Sequence, residues 1–180
     1  MNEKESKVHP KVPTARWHVQ IGGVSKNELM QRLNEQHIAL NAYAEQLFAD
    51  PRFTTSEIRR TLLAVEVSVT DLGFREGATL PQVFHQASKL GLALAPLELA
   101  VYLRLQYQDQ NDGGSAGKPG SNQAPAGSIT IASEPLSADD EIPKGFYLRN
   151  IDGTLWLRGY RCDADHRWRA DDRFVFTFKI

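Results

Sequence analysis

The dipeptide Asp152-Gly153 constrains this chain more than any other feature. It separates two alternating runs, GFYLRNI and TLWLRGY. A two-residue type I′ turn needs positive φ at both central positions, and Asp-Gly supplies them at low cost. A two-residue loop pairs Ile151 with Thr154, Arg149 with Trp156, Leu148 with Leu157 and Tyr147 with Arg158. Opposed residues share a face. Phe146, Leu148, Leu155 and Leu157 therefore make an apolar face, and Tyr147, Arg149, Trp156, Arg158 and Tyr160 make the other. A three-residue loop would mix the two sets, so their clean segregation selects the two-residue register.

The rest of the chain supplies partners for that hairpin. Trp17, Val19 and Ile21 alternate with Arg16, His18 and Gln20, as in a half-buried strand. Leu63, Val65, Val67 and Val69 share one face of a longer strand over 61–70. Further strands are expected at 128–133 and 173–179. Ser25-x-x-Glu28 and Thr79-x-x-Gln82 are capping boxes that open helices running to about 37 and about 90. Asn41 precedes a third helix, stopped by Asp50-Pro51, and Pro96 opens a fourth that runs to about 107. Strands and helices do not alternate regularly. The expected class is α+β: a mostly antiparallel sheet with about four helices packed on one face, closed by the C-terminal hairpin and a final strand.

Residues 1–13 read as a disordered tail, and 14–180 as a single domain interrupted by a flexible loop at 108–127, where Gly, Asn, Gln and Pro dominate. The charges nearly balance, 21 Lys+Arg against 22 Asp+Glu, so the whole chain has no electrostatic pull toward nucleic acid or anionic membrane. The distribution is uneven: 144–180 holds eight Lys/Arg and five Asp, a net of +3. Cys162 is the single cysteine, so no intramolecular disulfide and no thiolate zinc cluster can form. The N-terminus lacks the apolar core of a signal peptide, and no run approaches 18 apolar residues. Together these features predict a cytoplasmic protein with no membrane association.

The familiar chemical motifs fail at identifiable residues. Gly113 to Lys118 resembles a phosphate loop, but Asp112 stands at the first glycine position and Pro119 replaces the Ser/Thr. The second helix of the 79–107 pair, PLELAVYLRLQY, is too apolar to be a DNA recognition helix. Asp163, Asp165, His166, Asp171 and Asp172 cluster, yet Arg167 and Trp168 occupy the positions where a calcium loop needs a ligand and a glycine. No metal site and no cofactor is expected. Arg104 sits on an otherwise apolar stripe, which predicts a buried ion pair with Asp109 or Glu66, or an anion site. His18, on the polar face of the first strand, is a candidate general base without a matched nucleophile. The candidate binding set is thus Tyr147, Arg149, Trp156, Arg158, Tyr160, Arg104 and His18. Arginines interleaved with aromatic rings suit an anionic ligand or a protein partner, and nucleic acid as an alternative. A small enzyme using His18 or His166 with an arginine is a further alternative.

The segments GGVSKNELMQRLNEQHIALNAYAEQLFADPRFT, VTDLGFREGATLPQVFHQASKLGLALAPLELAVYLRLQYQDQ and SITIASEPLSADDEIPKGFYLRNIDGTLWLRGYRCD resemble an uncharacterised group of small stand-alone bacterial proteins. The likeness covers roughly residues 14–178. Some members carry the label "helicase". This sequence has no phosphate loop and no acidic motor box, and 180 residues are too few for a two-lobed motor. The resemblance implies a bacterial cytosolic setting.

Overall fold

The computed structural model describes residues 15–114 and 123–179. The expected tail at 1–13 and the centre of the expected loop at 108–127 lie outside the described residues. In chain order the elements are β1 (Ala15–Ile21), α1 (Lys26–Glu35), β2 (Ala39–Leu40), α2 (Ala42–Ala49) and β3 (Arg60–Ser68). Then come β4 (Ala78–Thr79), α3 (Leu80–Lys89), β5 (Leu92–Ala93), α4 (Leu99–Gln106) and β6 (Ile129–Ile131). The last are β7 (Gly145–Ile151), β8 (Thr154–Tyr160), β9 (Arg167–Trp168) and β10 (Arg173–Phe178). The chain is α+β, as expected.

The main sheet runs β1-β3-β10-β6-β7-β8-β2, with β5 also pairing β10. Two of its pairings are parallel, β6 with β10 and β2 with β8; the others are antiparallel. Alternation along the central strands sorts the core into two layers. Ala64 and Val175 face the layer built with α1, α2 and α4. Val65, Val67, Phe174 and Phe176 face the layer built with α3 and with Trp168 of the small β4-β9 sheet. Three helices therefore cover one face and α3 the other. Both faces are apolar because both are covered.

Local chemistry explains the element ends. Thr79 and Gln82 close a full capping box: the Thr79 N–H donates to Gln82 Oε1 at 2.9 Å, and the Gln82 N–H to Thr79 Oγ1 at 3.4 Å. At α1 only half of the box forms. The Glu28 N–H donates to the Ser25 hydroxyl, but the Glu28 carboxylate turns to Arg32 at 2.6 Å instead. Pro96 begins a turn rather than the helix, since Leu99 and Ala100, the first residues of α4, donate to the carbonyls three residues back.

The hairpin forms in the expected register, from Ile151 with Thr154 to Gly145 with Tyr160. Asp152 and Gly153 both have positive φ, 50° and 83°. Asp112 locks the turn from outside. Its carboxylate accepts from the N–H groups of Asp152 at 3.1 Å, Gly153 at 3.0 Å and Gly114 at 2.7 Å. The residue that spoils the phosphate-loop pattern is thus the anchor that ties 110–114 to the hairpin. The Asn150 amide donates to the Gln110 carbonyl at 2.8 Å and strengthens the same tie.

Candidate functional site

The inner hairpin face is buried as the pattern requires. Phe146, Leu148 and Leu157 are fully buried, and the Phe146 ring meets those of Phe48 and Phe53 at 5.7 and 6.0 Å. The outer face is only partly open. Tyr147 and Arg149 are buried, while Trp156, Arg158 and Tyr160 are half-buried. Arg149 is covered because its Nη2 donates to the Gly114 carbonyl at 2.8 Å, beneath the segment that Asp112 anchors. It serves that segment and does not line the cleft described next.

Above Tyr147, Arg158 and Tyr160 is a cleft of about 760 Å³, which Trp156 does not line. Tyr147, Arg158 and Tyr160 form its floor with Ser128 and Thr130. One wall comes from 161–168, including Cys162, Asp163, His166 and Trp168. Others come from 123–125, from Asp140 and Glu141, and from Tyr43 of α2. The Arg158 guanidinium lies over the Trp156 ring at 4.8 Å and the Tyr147 ring at 5.9 Å. Its Nε donates to the Tyr147 hydroxyl at 2.8 Å. Among the described residues, its two terminal nitrogens have no acceptor and no carboxylate partner.

The walls are held separately. Arg161 stacks over Tyr43 at 5.3 Å and pairs with Glu141 at 3.0 Å. Tyr160 and His166 both meet Trp168 edge-on, at 5.6 and 5.4 Å. The Trp168 indole N–H is buried without an acceptor among the described residues. Burial pushes the Cys162 thiol up to about 11, so at neutral pH it stays protonated. Burial likewise raises the Tyr160 phenol. The Asp163 carboxylate accepts the backbone N–H groups of Asp165 and His166, at 3.0 and 2.7 Å, and so shapes the turn. Among the described residues no three His, Cys, Asp or Glu side chains gather as a metal ion would require.

The other two candidates lie elsewhere. His18 is exposed on edge strand β1, and β3, β10, β6 and β7 separate it from β8. At about 4.8 Å per strand it cannot share a small ligand with Arg158. Arg104 is fully buried, but the expected ion pair does not form. Glu66 pairs with Arg173 instead, through its Oε1 and the guanidinium Nε. Arg104 donates to Gln110 Oε1 at 2.6 Å, to the Tyr107 carbonyl, and more distantly to the carbonyls of Arg149 and Trp156 at 3.5 and 3.4 Å. Four neutral oxygens replace one carboxylate, and burial lowers its pKa to about 10. Arg104 is a bracket between α4 and the back of the hairpin.

Protein-family models, curated proteins and solved structures yield no match to this chain. The site must speak through its own geometry.

Of the residues singled out in the sequence, Tyr147, Arg158, Tyr160, Asp163 and His166 line this cleft. Arg149, Trp156, Arg104 and His18 do not, and Tyr43 and Trp168 were not singled out as site residues. Tyr43 reads as one more member of the α2 apolar stripe, and Trp168 as a residue in a charged turn. No local signal places either beside Arg158, because tertiary contact brings them there.

Proposed function

We propose that this chain is a non-catalytic binding module whose hairpin cleft takes a ligand or partner group bearing one oxyanion, held by Arg158. The observation that carries the reading is the state of that guanidinium. Trp156 and Tyr147 orient it, yet among the described residues its terminal nitrogens have no acceptors. A guanidinium fork fixed in advance loses little rotamer freedom on binding an oxyanion. The buried Trp168 N–H supplies a second donor without an acceptor in the wall.

The enzyme alternative has weaker support. His166, Arg158 and Asp163 do line one concavity. The Asp163 Oδ1 is engaged by the Asp165 and His166 backbone N–H groups, however, no hydrogen bond joins the Asp163 carboxylate to the His166 ring, and the one thiol present is held protonated. A polyanion is disfavoured because Asp140, Glu141 and Asp163 line the cleft as well. The bacterial, cytoplasmic setting belongs to this same reading. No helix among the described residues is long and apolar enough to cross a membrane.

The test uses as reporters Trp168 in the cleft wall and Trp156 against the Arg158 guanidinium. Titration with benzoate is expected to change tryptophan emission, titration with benzamide to leave it unchanged, and Arg158→Ala to abolish the benzoate response while the fold is retained. An equal response to both compounds, or a benzoate response that survives in Arg158→Ala, overturns the reading. Tight binding of a single-stranded oligonucleotide, weakening steeply with salt, would replace it with the nucleic-acid alternative.

A further inference from the structure

A second cleft, of about 660 Å³, lies at the opposite edge of the sheet, where β1 ends and β3 begins. It shares no lining residue with the hairpin cleft. Arg32 of α1 and Arg59 and Arg60 beside β3 line it, together with Gln20, Tyr102 and Gln106; no residue lining it is acidic. Arg32 is tethered by Glu28 at 2.6 Å. Arg59 and Arg60 make no ion pair with any described residue. Arg60 acts electrostatically on the buried Glu98, whose two oxygens accept the Ser56 N–H at 3.1 Å.

The arginines are placed by backbone. Gly23 has φ +74°, and a Cβ there would meet Arg59 Cγ and Nε at 2.8 Å, so the Arg59 stem lies flat on that glycine. The Gly23 N–H donates to the Ser56 carbonyl at 2.8 Å while Ser56 is held by Glu98 from the other side. Arg60 pairs with Ile21 across the β1–β3 ladder and so shares its face, the one that carries α1 and α4. Tyr102 adds a buried hydroxyl whose proton has no acceptor among the described residues. Burial, and then Glu98, raise its pKa, so it remains a donor.

We infer that this cleft is a binding site for a small phosphorylated ligand, with Arg59 and Arg60 as its principal contacts and Arg32 and the Tyr102 hydroxyl as further donors. Planar guanidinium forks match phosphate oxygens, and two or three of them suit a dianion better than one carboxylate. The volume is that of a small-molecule site. The inference stands independently of the hairpin cleft.

The experiment is calorimetric titration of the full chain with pyrophosphate at low salt. One site is expected. Arg59→Ala/Arg60→Ala should weaken it by about tenfold or more, the loss of at least one charge-assisted contact. Arg75→Ala, an exposed arginine outside both clefts, should leave it within about twofold. Arg59 and Arg60 are exposed, so the double variant should keep the wild-type thermal melt and the benzoate response. Absence of pyrophosphate binding overturns the inference. So does unchanged affinity in the double variant, or an equal loss in Arg75→Ala. Pelleting with phosphatidylglycerol–phosphatidylcholine vesicles, without binding of free pyrophosphate, also overturns it, because the phosphate source would then be a membrane surface.

Discussion

Gly159 is the position where one methyl group should do the most damage. It pairs with Phe146 across the hairpin and therefore faces inward, against the start of α2. A Cβ there would sit 2.6 Å from the Tyr43 carbonyl carbon, 2.7 Å from the Ala44 nitrogen and 2.8 Å from Tyr43 Cβ. Ordinary contact needs about 1 Å more, and the obstacle is backbone that cannot rotate away. Moving α2 also strains Asn41, whose Oδ1 accepts from the Gly159 N–H at 2.8 Å and from the Ala44 N–H at 2.9 Å, and whose Nδ2 donates to the Gly159 carbonyl at 3.0 Å. Overpacking of this kind costs about 1–3 kcal/mol and a lost N-cap about 1 kcal/mol. We expect Gly159→Ala to lose about 3 kcal/mol. With a urea m-value of about 2–3 kcal/mol/M, the midpoint should fall by about 1 M. Gly145→Ala is the control, since its Cβ would meet the Ser133 Oγ at 3.1 Å, a side-chain atom that can turn aside. It should cost less than about 1 kcal/mol. Asn41→Ala combined with Gly159→Ala should cost less than the two single losses added, because both act on the same joint. A Gly159→Ala midpoint within error of wild type, or strict additivity with Asn41→Ala, would refute the account.

Two further outcomes follow from the same contacts. The Gly114 N–H, then those of Asp152 and Gly153, hold the Asp112 carboxyl below its ordinary value. The stability it contributes is fully present above its unfolded value of about 3.9 and is lost as pH falls through the lower folded value. Urea melts of wild type should therefore lose stability more steeply below about pH 4 than those of Asp112→Asn; parallel curves would contradict the capping role. With its thiol pushed up to about 11, Cys162 should react with iodoacetamide roughly a hundredfold more slowly in the folded protein than in urea, and equal rates would show the thiol to be open.

The sequence was most legible where structure is local. Asp152-Gly153 set the hairpin register to the residue, and Thr79 with Gln82 marked the start of α3. Legibility failed where a contact depends on distant chain. β2, β4, β5 and β9 are two residues each, too short to show a period, and exist because a longer or facing strand accepts them. Arg104 looked like half of an ion pair because a charge on an apolar stripe calls for compensation. Its actual compensation, carbonyls from α4 and the hairpin plus the Gln110 amide, has no spacing to detect. Arg149 and Arg158 are indistinguishable by alternation. Only the fold of 110–114 over one of them and the cleft over the other separates a structural arginine from a binding one.

The place of β10 in the sheet carries a kinetic consequence. It lies between β3 and β6, so Ser68 finds its partner at Arg173 and Ile129 finds its parallel neighbour there as well. Until β10 arrives, β1-β3 and β6-β7-β8 are two half-sheets with no strand between them, each presenting an open edge. The hairpin can close early because its contacts are local, but the two halves must wait for the keystone. Loop closures that long are slow, and unpaired edges recruit other copies while they wait. Expression at lower temperature, or with holdase chaperones, should therefore raise the soluble yield more than added stability would.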